Sequence, residues 1–230
     1  TITIQQAPSR DETLARMRAK LSAIVPDVEL QVKADYAYRI NLLKRELNAV
    51  ILGHNYMEPT LFHSVPDYSG DSLELSRISA ETDADIIIFC GVKFMAETAK
   101  ILNPEKTVLI PSLQAGCSLA TGITVDDVRM LRAQYPGAPV VSYVNTYADV
   151  KAESDYCCTS GNAAGVVRHL LSKGYKHIIF LPDEFLAHNT AKETDLPFVR
   201  VLMGLCLFRK EQSSVGTRAA KFTNCSRPRM

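Results

Sequence analysis

Gly53-His54-Asn55-Tyr56 places an imidazole, an amide and a phenol on one short stretch of chain. An imidazole exchanges protons near neutral pH and a phenol donates to a developing oxyanion, so the stretch suits proton transfers on a carbonyl or imine substrate. The plainer reading is a histidine that caps the apolar run before it. Asp67-Tyr-Ser-Gly70-Asp71-Ser72 and Cys158-Thr159-Ser160-Gly161-Asn162 each lead into a helical period. Each would bring a hydroxyl and free backbone N–H groups to the positive end of a helix, where a carboxylate or phosphate is stabilised. Plain N-capping reads Ser72 equally well, but two similar sockets at related places strengthen the anion reading.

Pro111-Ser-Leu-Gln-Ala-Gly-Cys117-Ser118 puts a thiol beside a glycine. A free cysteine is commonly a small buried hydrophobe, and its alternative here is a metal ligand. The six cysteines stand at 90, 117, 157, 158, 206 and 225 with no Cys-x-x-Cys spacing, so a metal cluster would have to gather its thiolates from distant loops. Tyr143 and Asn145 alternate at a strand end, and alternation predicts that both face one side and orient a substrate. His63, His169, His177 and His188 lack such company and read as structural.

These residues need a scaffold, and the pattern around them supplies one. Short β-rich runs, Ala49–Leu52, Asp85–Cys90, Thr107–Ile110, Pro139–Tyr143, Asp155–Cys158 and His177–Leu181, each precede a turn and a helix-period segment. Several runs are apolar on both faces, which predicts parallel strands covered by helices on both sides, an α/β class of repeated αβα units. Ser72, Thr124 and Ser160 mark helix starts. The runs fall into two sets of three with a similar rhythm. That predicts an N-terminal helical segment at 1–48, a first unit at 49–121, a second at 122–205 and an atypical basic tail at 206–230. Phe198–Met203 is a candidate further strand, and Glu211–Met230 reads as loop. In open α/β sheets ligands bind at the carboxyl ends of strands, which is where the candidate residues stand.

Composition narrows the function classes. The 230 residues are 47% hydrophobic and 22% charged, an ordinary globular balance, and a net charge of +1 carries no footprint for nucleic acid or an anionic membrane. Residues 1–194 hold 19 basic and 23 acidic groups, whereas 195–230 hold 7 and 2, so the character of the chain changes near 195. No apolar run reaches the roughly 18 residues of a membrane span, and the first ten residues lack a secretory pattern, so a cytoplasmic protein with small-molecule substrates is expected. A dinucleotide-binding oxidoreductase is disfavoured because no Gly-x-Gly-x-x-Gly follows any strand.

With these motifs in hand, the chain resembles the quinolinate synthase family from about Leu43 to Thr194. The residues that carry the likeness are Gly53–Tyr56, Ser69-Gly-Asp-Ser72-Leu-Glu-Leu, Gly91–Leu102, Leu113-Gln-Ala-Gly-Cys117-Ser-Leu, Tyr143-Val-Asn145-Thr, Cys158-Thr-Ser160 and Leu181-Pro-Asp-Glu184. The resemblance implies three αβα units about a pseudo-threefold axis, two of them present here. It implies condensation of iminoaspartate with dihydroxyacetone phosphate to quinolinate in NAD biosynthesis, with L-aspartate oxidase as a pathway partner. It also implies a [4Fe-4S] cluster held by three cysteines, one per unit, whose open iron is a Lewis acid.

By similarity Cys117 is the first cluster ligand, and His54, Ser72, Tyr143, Asn145 and Ser160 line the iminoaspartate pocket. Tyr56 is the acid/base phenol, and Glu97 and Lys100 read as structural or rim charges. The family's next landmark, Gly-x-Cys-x-Val-His-x-Glu, is matched only by Gly204-Leu205-Cys206, after which Leu207-Phe208-Arg209-Lys210 departs from it. Cys206 is therefore an open candidate for a second ligand. The third unit is expected to be missing, its absence to leave an apolar interface that promotes self-association, and turnover is not expected from this polypeptide alone. The rival reading is a non-catalytic α/β fragment that binds a small dicarboxylate or a partner protein without iron.

Overall fold

The computed structural model describes residues 8–202 and 205–209. Two helices come first, α1 (Arg10–Leu21) and α2 (Asp27–Glu46). Ser9 and Glu12 close a capping box that starts α1. Leu30, Ala34, Ala37, Asn41 and Lys44 recur at helical spacing and form the buried face of α2.

The first unit follows as β1 (Ala49–His54), α3 (Pro59–Phe62), β2 (Tyr68–Gly70), α4 (Ser72–Glu81), β3 (Ile86–Cys90), α5 (Lys93–Leu102), β4 (Thr107–Leu109) and α6 (Ser118–Thr121). Its four strands are all parallel in the order β2-β1-β3-β4. Every residue of β1 is buried, as expected of a central strand with helices on both faces. Gly53 is required there: a Cβ would stand 2.7 Å from Met57 Sδ and from Pro66 Cγ. The short strand β2 falls where the sequence reads only as a loop entering a helix, because three residues are too few to show a period.

The second unit repeats the order with α7 (Val125–Gln134), β5 (Val140–Tyr143), α8 (Ala148–Ala152), β6 (Tyr156–Cys158), α9 (Ala163–Ser172), β7 (His177–Leu181), α10 (Glu184–Thr194), β8 (Phe198–Leu202) and β9 (Leu205–Arg209). Its sheet runs β6-β5-β7-β9-β8, with β6, β5 and β7 parallel and β9 antiparallel to both of its neighbours, β7 and β8. β1, β2 and β3 thus correspond to β5, β6 and β7, which matches the duplicated rhythm of the sequence.

The boundary expected at 206 falls inside β9, so residues 206–209 belong to the second sheet rather than to a tail. The apolar side chains of Cys206, Leu207 and Phe208 explain why. Cys206, Leu207 and Phe208 are buried, and the Phe208 ring meets Phe180 edge-on at 5.5 Å. The tail reading of 211–230 and Cys225 lie outside the described residues.

Helix starts depart from the sequence reading in an informative way. Thr124 caps α7 with a capping box, as expected. At α4 the cap is Asp71, whose side chain accepts from Leu73 and Glu74 N–H at 2.8 Å, which frees the Ser72 hydroxyl from capping. α9 starts at Ala163 behind Asn162 rather than directly after Ser160. The two units are joined through the segment after β5: Val144 is buried in the first unit's core, with Tyr143 and Tyr147 packed against it. Among the described residues no helix is long and apolar enough to cross a membrane.

Candidate active site

The carboxyl ends of β1 and β5 define the site. His54 is the last residue of β1 and Tyr143 the last of β5, each opposite the last residue of its neighbour, Gly70 of β2 and Cys158 of β6. Ser72 follows β2 and Ser160 follows β6, so each unit contributes one ring and one hydroxyl from equivalent places. His54, Ser72, Tyr143 and Ser160 line one cavity of about 280 Å³, together with Asp71 and Thr159. His54 Nε2 and Ser72 Oγ are 3.4 Å apart, whereas the buried Nδ1 has no hydrogen-bond partner.

A second cavity, also of about 280 Å³, is lined by Tyr56, Cys117 and Asn145 with Phe94 and Met95. Tyr56 and Asn145 stand two residues beyond His54 and Tyr143, so the unit-to-unit correspondence continues here. One ring from each cavity lies beside a ring of the other, the His54 and Tyr56 centroids being 3.9 Å apart. Tyr143 and Asn145, expected to face one side, therefore line different cavities. The strand ends at Tyr143, and Thr146 N–H donates to Val144 C=O at 2.8 Å, a turn around Asn145 that ends the strand alternation.

Burial sets the protonation of the rings. His54 is only 8% exposed, and burial lowers its pKa against the opposing charge of Asp71, which favours the neutral imidazole near pH 7. Tyr56 is more than half exposed, and partial burial raises its pKa, aided by the charge of Cys117 and opposed by a backbone hydrogen bond at Val92. Burial likewise raises that of Tyr143, with contributions from Asp183, Cys158, Cys117 and Asp71. Both phenols thus remain protonated donors. Asp183 is held as the α10 cap by Phe185 and Leu186 N–H, much as Asp71 is held on α4.

Two positioning groups were not legible as such. Lys151 Nζ donates to Val144 C=O at 2.9 Å and to Thr146 C=O, clamping the turn that carries Asn145. Glu97, read as a structural or rim charge, accepts the Ala148 N–H across the junction of the units. Lys100 donates to Pro104 and Lys106 carbonyls and is structural. Lys151 carries no motif, and only the contact map of the fold could have singled it out.

Cys117 sits half-buried in the second cavity. Cys206 does not join it: its thiol is 1% exposed in the second sheet's core with Val141, Phe180 and Phe208. Burial, then the neighbouring Cys157, pushes the Cys158 thiol up to about 12, which disfavours the thiolate a metal needs. Among the described residues no group of three His, Cys, Asp or Glu side chains could hold a metal ion. The described residues therefore fit one ligand position of a three-cysteine cluster and not the set.

Comparison with known proteins identifies the family. The family model described as quinolinate synthetase A protein matches residues 38–224. Quinolinate synthase 2 of Mesorhizobium japonicum is 55% identical over 180 residues, 78% of this chain and 55% of the relative. Quinolinate synthase of Caulobacter vibrioides is 52% identical over 193 residues, 84% and 53% of the two chains. Quinolinate synthase of Xylella fastidiosa is 59% identical over 157 residues, 68% and 45%. The chain spans about half the length of these curated relatives. A match over most of its residues, at identities far above chance and with the ring and hydroxyl positions converging on shared cavities, means that the chain belongs to the quinolinate synthetase A protein family.

Proposed function

We propose that this chain carries the dicarboxylate-binding part of a quinolinate synthase site. There iminoaspartate condenses with dihydroxyacetone phosphate to give quinolinate, with loss of two waters and phosphate. The reading is carried by the convergence of His54, Ser72, Tyr143 and Ser160, from both units, on one cavity. A four-carbon dicarboxylate presents two anionic ends, and the two serine hydroxyls at equivalent sites are donors suited to them. The start of α9, with no side-chain cap, adds free N–H groups beside Ser160. Neutral His54 hydrogen-bonds the substrate without a charge that would have to be desolvated. Tyr56, which lines the second cavity, is the phenol that would donate and recover a proton as the imine tautomerises and water leaves.

A [4Fe-4S] cluster would take Cys117 as one ligand and its remaining thiolates from outside the described residues, supplying Lewis acidity toward a substrate oxygen. The described residues provide no such set, so binding precedes and is separable from turnover for this chain. The working place would be the cytoplasm, with L-aspartate oxidase as the upstream source of the unstable imine.

Calorimetric titration with malate, a stable four-carbon dicarboxylate, tests the binding part. The expected outcome is saturable one-site binding that falls at least about tenfold in Ser72→Ala and Ser160→Ala, the scale of one lost charge-assisted hydrogen bond. Binding that ignores both substitutions would refute the reading. Anaerobic reconstitution of wild type and Cys117→Ser then separates an iron-dependent site from the non-catalytic one.

A further inference from the structure

The outer face of α2 is apolar although nothing in the described residues covers it. Val28, Val32, Tyr36, Ile40 and Leu43 recur every three or four residues and are all exposed, Val28 at 72% and Tyr36 at 60%. At 3.6 residues per turn they form one stripe opposite the buried Leu30, Ala34, Ala37 and Asn41. Exposed Glu29 and Arg39 lie on the same face toward its two ends. Beside Tyr36 and Ile40 a groove of about 210 Å³ runs between α2 and α3, lined by Ala37, Thr60 and Leu61. A contiguous apolar strip rimmed by charge marks an interaction surface rather than scattered surface hydrophobes.

We propose that this stripe receives a second copy of the chain, α2 packing antiparallel on α2 about a twofold axis level with position 34. Under that symmetry Val28 comes level with Ile40 of the second copy and Val32 with its Tyr36, and the same contacts repeat on the other side of the axis. The charges select this occupant. Glu29 comes level with Arg39 of the second copy, twice, whereas a parallel pairing in register would set Glu29 on Glu29 and Arg39 on Arg39. Antiparallel helices also oppose their dipoles favourably. One helix pair of this length buries less than the roughly 800 Å² per partner of a standard stable complex, so the dimer dissociates in the micromolar range.

Sedimentation velocity from low micromolar to near-millimolar concentration is the test, with circular dichroism confirming that each surface variant is folded. Wild type is expected to shift from monomer to dimer. Arg39→Glu should weaken the dimer roughly tenfold, because the contact occurs twice. Glu29→Lys combined with Arg39→Glu should recover most of that loss. Reversing Glu29 leaves its own-helix partner Lys33 an ion pair with Glu58, so the local fold is kept. Val32→Ser with Tyr36→Ser should give a monomer throughout. A wild type monomeric at every concentration, a dimer indifferent to Arg39→Glu, or a double charge swap without recovery would each overturn the proposal. So would a monomer that binds anionic lipid vesicles through Tyr36.

Discussion

Glu97 of α5 accepts the backbone N–H of Ala148, the first residue of α8, through Oε2 at 2.8 Å, and so locks the second unit's site segment to the first unit. The carboxylate satisfies one of the N–H groups a helix leaves open and meets the positive end of α8. Its other oxygen lies 3.6 Å from Lys93, whose ammonium stands 4.9 Å from the centre of the Tyr147 ring. Tyr143 and Asn145 are held by this latch on one side and by Lys151 on the other.

Glu97→Ala should therefore cost about 1–3 kcal/mol in urea unfolding, the worth of a hydrogen bond to a charged group, and weaken malate binding through the displaced Tyr143. Glu97→Gln retains an acceptor at the same reach and should lose less than half as much. Equal stability of Glu97→Ala and wild type would show that the units are joined without this contact.

His54 gives the site a pH signature. Burial depresses its folded pKa below the ordinary 6.5, so the unfolded chain binds a proton at a pH where the folded one does not. Its contribution to stability is thus fully present above about pH 6.5 and is lost as pH falls from there through the folded value. NMR titration of the His54 ring should give a midpoint below 6.5 that rises when malate binds, since an anion beside the ring favours the imidazolium. A midpoint at or above 6.5 in the free protein would contradict the buried, neutral ring.

What could be read from the chain and what could not divide along physical lines. The strands at 49, 86, 140 and 177 are apolar on both faces and announce themselves, and the candidate residues follow from them as the positions at and just beyond the strand ends. β2 is too short to show a period, and the α4 cap is Asp71 rather than Ser72 because the Asp71 carboxylate reaches the Leu73 and Glu74 N–H groups. β9 was hidden because Leu205–Arg209 departs from the expected motif, yet the strand pairs with β7 and β8 and buries Cys206, Leu207 and Phe208. The splitting of Tyr143 from Asn145 depends on one hydrogen-bonded turn, and the roles of Glu97 and Lys151 depend on contacts between segments 51 and 5–7 residues apart, which no local pattern reports.

Thiol accessibility separates Cys117 from its neighbours. Cys117 is half-buried and Cys157 exposed, whereas Cys90, Cys158 and Cys206 are buried. Brief iodoacetamide treatment followed by peptide mapping should label Cys117 ahead of Cys157, whose thiol is pushed up by the burial of its sulfur, and leave those three unlabelled until urea is added. Malate should protect Cys117 only weakly, because it lies in the cavity beside Tyr56 rather than with Ser72 and Ser160. Rapid labelling of Cys206 in the folded chain would contradict its place in the second sheet's core.

The strand that leads to Ser72 rests on a buried ion pair. Lys44 Nζ lies 2.9 Å from Asp67 Oδ1 and donates to Val65 C=O at 2.9 Å, while Asp67 Oδ2 accepts Ile51 N–H at 2.8 Å, and both side chains are almost fully buried. Removing one partner strands a buried charge, so Lys44→Met should destabilise the chain by about 3–5 kcal/mol. Lys44→Met with Asp67→Asn leaves no unpaired charge and keeps an acceptor for Ile51, so it should recover a large part of that loss. Thermal and urea unfolding of the single and double variants measure the coupling. If the double variant is no more stable than Lys44→Met, the cost lies in lost packing of the lysine stem and not in the stranded carboxylate.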